Sequence, residues 1–231
     1  MAPVKRSVQR PVIGSLAVVV AMTFLAGCLD PTTGRPPAVG ADAPAYSTST
    51  RSVSAAMLGS SWRSGCPVGP ADLREVTVAY WGYDGSRHTG RLIVHRTVAT
   101  DIANVFRRLY DKRFQIRRIH PVTVFGSSDD QSMAANNTSA FNCRRVTGGT
   151  SWSEHSYGTA IDINPVQNPY VTRSGTILPS SGAPWADRSL RVPGMVHRNG
   201  VVVAAFTSIG WHWGGNWTNP KDFQHFSRSG R

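Results

Sequence analysis

Three side chains that could bind a metal ion lie in two short segments of the second half of the chain. The first segment, residues 153–165, contains His155 and Asp162, and the second, residues 222–226, contains His225. Two imidazoles and a carboxylate are a suitable ligand set for a catalytic zinc ion, which keeps a fourth position open for water. The sequence therefore predicts a zinc site built from His155, Asp162 and His225.

The residues around the first two candidates predict how they are held. Gly158 permits a turn after His155, and from residue 160 onward apolar and polar positions alternate. In a strand this alternation places Ile161 and Ile163 on one face and Asp162 on the other. We expect a buried strand that directs Asp162 into a cavity, with His155 beside it.

A second carboxylate, Asp222, precedes His225 by three residues in the motif Asp-x-x-His. Together with Ser-x-His-x-x-Gly-x-Ala-x-Asp at 153–162 and Gly-Trp-His-Trp-Gly-Gly at 210–215, this motif resembles the D-alanyl-D-alanine carboxypeptidase-like zinc peptidases. That family includes the L-alanyl-D-glutamate endopeptidases of phage lysins. The resemblance covers about residues 65–231 and is strongest over 136–165 and 210–226.

The resemblance implies a role for each matched residue. His155, Asp162 and His225 become the zinc ligands, and Asp222 becomes the catalytic carboxylate where other members carry Glu. An arginine that polarises the substrate carbonyl is expected upstream of the first histidine, and Arg144 is the candidate. Ser153 and Trp213 are candidates for substrate contacts, although a tryptophan in this motif could instead belong to the core.

The activity implied is zinc-dependent hydrolysis of an amide bond in peptidoglycan stem peptides. The family includes both D-Ala-D-Ala carboxypeptidases and L-Ala-D-Glu endopeptidases, and the sequence does not separate them. An alternative is a catalytically inactive, metal-stabilised module that binds the cell wall. His212, which lies between two tryptophans, is the nearest rival ligand and is assigned to packing.

The N-terminal segment predicts export. Lys5, Arg6 and Arg10 precede an apolar run over 12–24, which is shorter than the roughly 20 residues of a membrane-spanning helix. Residues 1–27 are predicted to be a signal peptide. Leu-Ala-Gly-Cys at 25–28 resembles the lipobox of bacterial lipoproteins, so Cys28 is the predicted lipidation site, with an ordinary signal peptide as the alternative. The protein would then be anchored to the outer face of the cell membrane.

The two remaining cysteines, Cys66 and Cys143, predict one disulfide in an oxidising compartment. The alternative, a pair of free or metal-binding thiols, is disfavoured because their separation fits no zinc-finger spacing.

Composition and charge limit the remaining classes. Only 16% of residues are charged, with 22 Gly and 15 Pro, which excludes a coiled coil. The net charge of +12, or +9 without the three cations of the signal peptide, favours anionic surroundings. The basic residues are scattered and form no recognised nucleic-acid motif, so we expect no nucleic-acid partner. The protein is expected to act as a monomer.

Periodicity predicts the elements of the body. Residues 28–64, rich in Pro, Ala, Ser and Thr, are predicted to be a flexible tether, and 65–231 one peptidase domain. Within it we expect a hairpin over 76–95, a helix over 98–113, a short strand over 116–124, a long loop over 126–150 and a buried helix over 201–209. This order indicates an α+β fold with a central antiparallel sheet and flanking helices. The resemblance implies a DD-peptidase/Hedgehog-like architecture.

Overall fold

The computed structural model describes residues 44–231. The predicted signal peptide over 1–27, the lipidation site Cys28 and the first part of the tether lie outside these residues. The described residues form nine strands and four α-helices. In chain order these are β1 (Thr48–Ser52), α1 (Ala55–Leu58), β2 (Leu73–Trp81), β3 (Arg87–His95), α2 (Ala99–Asp111), α3 (Asp129–Ala134), β4 (Ala160–Asp162), β5 (Tyr170–Val171), β6 (Ile177–Leu178), α4 (Val201–Thr207), β7 (His212–Trp213), β8 (Lys221–Asp222) and β9 (His225–Ser227).

The α+β fold class is confirmed, and its strands are distributed over three antiparallel sheets. Each sheet has three strands, in the orders β1-β2-β3, β4-β9-β7 and β6-β5-β8. The second sheet carries Asp162 and His225, and the third carries Asp222. None of the helices in residues 44–231 combines the length and the apolar composition needed to cross a membrane.

The predicted hairpin and the helix that follows it form the main core. The turn between β2 and β3 closes through Asp84, whose carboxylate accepts the Ser86 N–H at 2.9 Å, and Gly85 has φ +72°. Helix α2 then buries one face, including Phe106 and Leu109, against β2. This face explains the apolar spacing that predicted the helix, because every third or fourth residue meets the sheet.

Two predictions between residues 116 and 150 were wrong in part. No strand forms over 116–124: Pro121, which has no N–H to donate to a sheet, leads instead into a 3-10 turn at Val122–Phe125. The long loop over 126–150 contains α3, which begins where the Ser128 hydroxyl accepts the Gln131 N–H at 3.2 Å. This Ser-x-x-Gln spacing is a capping-box pattern and was the available signal for the helix.

The boundary of the tether at residue 64 was also wrong, since the compact unit begins at Pro44. Strand β1 pairs antiparallel with β2 over its whole length, and the Tyr46 hydroxyl donates to the Ala103 carbonyl at 2.8 Å. All five residues of β1 are exposed, so it is held by backbone pairing and by side-chain bonds at the surface, such as the ion pair of Arg51 with Glu75 at 2.7 Å. A strand without a buried face has no apolar period, and the composition of this segment, taken alone, resembles that of a linker.

The predicted disulfide is confirmed. Cys66 and Cys143 are bonded, with their Cα atoms 6.0 Å apart. Their surroundings form a small apolar cluster beside the main core that includes Leu58, Phe141 and Trp152. The bond therefore attaches the N-terminal part of the domain to the residue directly before Arg144.

Candidate metal and catalytic site

A short turn positions His155. It spans the 3-10 residues Glu154–Tyr157, and the Ser153 hydroxyl at its start accepts the His155 N–H at 3.3 Å. The turn ends at Gly158 with φ +68°, where a Cβ atom would lie 2.6 Å from the backbone nitrogen of His95. Glycine is therefore required at this position by both conformation and space. Ser153, predicted to contact substrate, is nearly buried and acts here as the cap of the turn.

Strand pairing brings the other two candidate ligands together. Strands β4 and β9 are antiparallel, and Asp162 is the direct partner of His225 in their register. Directly opposed residues of an antiparallel pair project their side chains on the same face. Ile161 and Phe226, the next pair in the register, are fully buried. The predicted alternation is therefore found within β4, which ends at Asp162, with Ile161 in the core and Asp162 on the opposite face.

The three side chains converge. The Nε2 atom of His155 lies 3.2 Å from Asp162 Oδ2 and 3.2 Å from His225 Nδ1, and His225 Nδ1 lies 3.1 Å from Asp162 Oδ1. All three residues are at most 6% exposed. Together they form a group whose ligand atoms could hold one metal ion.

The outer nitrogen of each imidazole is already engaged by a main-chain carbonyl. His155 Nδ1 bonds to the Ala140 oxygen at 2.6 Å, and His225 Nε2 bonds to the Arg231 oxygen at 2.9 Å. A carbonyl can only accept, so each outer nitrogen carries the hydrogen and each neutral ring presents a bare lone pair to the centre. Two such lone pairs and a carboxylate facing one another require a cation between them. The donor set therefore fits a metal ion.

The electrostatics of the ligands also favour a positive charge at this point. Burial alone would raise the pKa of Asp162, but the charges and hydrogen bonds of His155 and His225 outweigh it and hold that pKa well below its usual range. For His225, burial works to lower the pKa, and the hydrogen bond and charge of Asp162 overcome it, raising the pKa to about 9. In the absence of a metal ion, a proton at His225 would compensate the buried carboxylate.

Asp222 lies outside this convergent group and close to it. Its oxygen Oδ1 is buried and has no hydrogen-bond partner among residues 44–231. Burial raises the pKa of Asp222 to about 7, against the opposing charge of His225. A Cβ atom on Gly214 would lie 2.9 Å from the Asp222 Cβ and 3.4 Å from the His225 Cβ, so this glycine lets the two residues approach. Asp222 is thus a carboxyl group able to exchange a proton near neutral pH.

These groups open into one cleft with a volume of about 400 Å³. Arg144 lies in its wall and forms an ion pair with Asp129 of α3, at 2.9 Å between Nη2 and Oδ2. The Arg144 backbone N–H donates to the Ser156 hydroxyl at 2.9 Å, next to His155. The Nε atom of Arg144 is buried without a partner among the described residues. The cleft therefore contains an oriented cation with an unused donor.

One of the predicted substrate contacts was wrong. Trp213 is 6% exposed, does not line the cleft, and packs in the core against Phe226 with its Nε1 donating to the Phe223 carbonyl at 2.9 Å. The tryptophan that lines the cleft is Trp217, whose ring centroid lies 5.6 Å from that of His225. Strand β7 turns Trp213 inward, and its register could not be read from the motif. His212 is exposed on the same strand, is not part of the converging ligand group and does not line the cleft, so its assignment to packing or a pocket wall was wrong.

Sequence reasoning also missed Asp129, and it did not place Tyr170 beside Asp222. Asp129 is in the first turn of α3, within the segment predicted to be a loop. Tyr170 of β5 is the direct partner of Asp222 in β8, a two-residue pairing that leaves no periodic signal. Both line the cleft. The Ser128 capping pattern could have placed Asp129.

Comparison with known proteins agrees with this site. No curated protein and no solved structure matches the chain. Residues 147–228 match the family model described as D-alanyl-D-alanine carboxypeptidase. The match includes His155, Asp162, Asp222 and His225, and it begins three residues after Arg144. Over this segment the chain is therefore similar to the D-alanyl-D-alanine carboxypeptidase family, a family of peptidases.

Proposed function

We propose that the protein is a zinc-dependent peptidase that hydrolyses an amide bond in peptidoglycan stem peptides, as a D-Ala-D-Ala carboxypeptidase or an L-Ala-D-Glu endopeptidase. One observation carries the proposal. Two imidazole nitrogens with bare lone pairs and a carboxylate lie within 3.2 Å of one another at the base of a cleft. An unpartnered carboxyl oxygen and an unpartnered arginine donor are buried beside the same cleft.

The ligand set supports zinc among the common metal ions. Nitrogen ligands suit zinc and disfavour magnesium and calcium, which take oxygen ligands. Three protein ligands leave the fourth position free, as in catalytic zinc sites. A zinc ion held by His155, Asp162 and His225 would supply a Lewis acid and would lower the pKa of water to about 7.

The chain's own residues complete the reaction. Asp222, whose pKa of about 7 permits proton exchange, takes the proton of the attacking water and delivers it to the leaving amine. Arg144, held by Asp129, directs its free Nε–H at the negative charge that develops on the carbonyl oxygen. Trp217 and Tyr170 border the cleft and shape the space for the peptide.

The proposed location is the outer face of the cell membrane, with the chain anchored by lipid at Cys28. The apolar run before Cys28 and the small residues at 26 and 27 support this location. The disulfide between Cys66 and Cys143 agrees with an oxidising compartment. The net charge of +12 suits the polyanionic cell wall.

The test combines metal content with hydrolysis of defined muropeptides. Purified full-length protein should contain about one zinc per chain, and it should release either D-Ala or the peptide that follows the first L-Ala, identified by mass spectrometry. Removing zinc with a chelator should abolish release, and zinc should restore it. Zinc binding without hydrolysis of any muropeptide would overturn the proposal in favour of a wall-binding module.

A further inference from the structure

A second feature lies outside the cleft, where the described chain begins. Tyr46, Trp81 and Tyr110 form an aromatic cluster, with ring centroids 5.6 Å apart for Tyr46–Tyr110 and 5.2 Å for Trp81–Tyr110. The Tyr110 hydroxyl donates to the Pro44 carbonyl. The cluster therefore fixes the position at which the preceding segment joins the domain.

Three arginines surround this cluster. The Arg107 guanidinium carbon is 5.1 Å from the centre of the Tyr46 ring, and that of Arg113 is 4.7 Å from the centre of the Trp81 ring. Arg87 donates to the hydroxyl of Ser47. We call these three residues, together with the exposed Lys112, the basic face.

The charge of the basic face is not neutralised within the domain. All four side chains are exposed, and none takes part in an ion pair within residues 44–231, whereas Arg51 and Arg144 do. Asp111, beside Lys112, is an acidic residue close enough for its charge to raise the pKa of Tyr46. Stacking on aromatic rings holds two of the guanidinium groups in place while leaving their charge available.

We propose that the basic face docks the domain onto an anionic phospholipid surface. The choice of a lipid surface rests on the proposed anchor at Cys28, which is separated from Pro44 by only 15 residues. The covalent length of 15 residues limits this separation to at most about 55 Å. The anchor would thus hold the basic face near the headgroups, so that docking becomes an intramolecular event.

The expected strength follows from the number of cations. Each Lys or Arg near an anionic bilayer surface favours contact by about fivefold, so the four cations of the basic face favour docking by about 600-fold. The attraction should disappear at high salt, where the Debye length falls to about 3 Å. Docking would set the orientation of the peptidase above the membrane.

The test labels arginines with phenylglyoxal in the full-length lipidated protein on vesicles. On vesicles with about one quarter phosphatidylglycerol, modification of Arg87, Arg107 and Arg113 should slow at least about fivefold relative to pure phosphatidylcholine. The exposed Arg198 and Arg228 are internal controls and should not change. Equal labelling of the basic face on both vesicles would overturn the proposal. The proposal would also be overturned if a purified wall polyanion slowed labelling of these arginines and anionic vesicles did not.

A matched pair of variants gives an independent measurement. In the wild type, the rate of Lys112 acylation should be lower on anionic vesicles than on pure phosphatidylcholine. In R87Q/R107Q/R113Q the two rates should be equal. In the control R173Q/R198Q/R228Q, which removes the same charge elsewhere, the slowing should persist. Slowing in both variants would overturn the assignment to the basic face. Muropeptide hydrolysis is not part of either readout, so failure here is distinct from failure of the peptidase proposal.

Discussion

Asp162 and Asp222 are two carboxyl groups near the same histidine, and their surroundings shift their pKa values in opposite directions. Two imidazoles stabilise the charge of Asp162, whereas the buried oxygen of Asp222 has no partner among the described residues and its pKa rises to about 7. A group that stays ionised suits a ligand, and a group that titrates near neutrality suits an acid–base role. The two carboxyl groups should therefore respond differently to the same substitution.

Asp162→Asn should remove most of the bound zinc, because the two histidines alone form an incomplete ligand set. Asp222→Asn should keep zinc and lower kcat by about a hundredfold to ten-thousandfold, the usual contribution of a general acid–base group. Zinc content and muropeptide turnover measured on both variants check the assignment. Near-normal hydrolysis by Asp222→Asn would show that another group is the base.

His225 makes the stability of the metal-free protein depend on pH. Its pKa is about 9 in the folded chain and 6.5 without the fold, so its contribution is complete below pH 6.5 and is lost as the pH rises through 9. Chemical denaturation of the chelated protein should show a loss of about 3 kcal/mol between pH 6 and pH 10.

His225→Gln should flatten this dependence, whereas substitution of the exposed His212 should leave it in place. Added zinc should also suppress it, because the metal takes the position of the proton. A metal-free protein whose stability is constant from pH 6 to pH 10 would contradict the assigned role of His225.

At the scale of elements, the contact between the turn at 214–216 and strand β8 sets the distance between the base and the ligands. A Cβ atom on Gly214 would lie 2.7 Å from the Asp222 carbonyl oxygen, a backbone atom that cannot rotate away. Gly214→Ala should displace Asp222 and His225, lowering both turnover and zinc affinity and destabilising the fold by about 1–3 kcal/mol. Thermal unfolding and zinc titration measure these effects.

Gly69→Ala is the matched control. Gly69 has an ordinary φ of −95°, and a Cβ atom there would meet nothing within 4 Å. This variant should match the wild type in turnover, zinc affinity and melting temperature. If the two substitutions have equal effects, the close approach at Gly214 does not position the site.

The elements also show where sequence reasoning succeeds. Helix α2 and the hairpin of β2 and β3 bury a regular face, and two of the three candidate ligands, Asp162 and His225, lie on paired strands that fix their direction. Strand β1, exposed at every residue, and the two-residue strands around Tyr170 and Trp213 have no period long enough to predict. The ligands were therefore predictable, and the cleft walls, which depend on tertiary packing, were not.

At the scale of the whole molecule, the disulfide attaches the N-terminal part of the domain to the segment that carries Arg144. Removing it in C66S/C143S should cost about 2–4 kcal/mol of stability. It should also lower turnover more than zinc content, because the segment that carries Arg144 loses its attachment while the ligands stay paired between β4 and β9. Denaturation and zinc assays measure this. Unchanged turnover would show that the disulfide is not needed to position Arg144.

The proposed anchor predicts a separate phenotype. Cys28→Ser should release the protein from the membrane fraction and leave hydrolysis of soluble muropeptides intact, because Cys28 is outside the compact unit that contains the cleft. Fractionation followed by an activity assay tests this. A variant that still sediments with membranes would contradict lipidation at this residue.

Both imidazoles take their orientation from main-chain oxygens, those of Ala140 and Arg231. In many metal sites the corresponding acceptor is a carboxylate side chain, which a single codon change can delete or alter. At Ala140 and Arg231, by contrast, an amino-acid substitution leaves the accepting main-chain oxygen in place. The main chain therefore sets the basicity of the two histidines. Saturation mutagenesis would identify the ligands as intolerant positions, but it would not detect the main-chain oxygens that orient them.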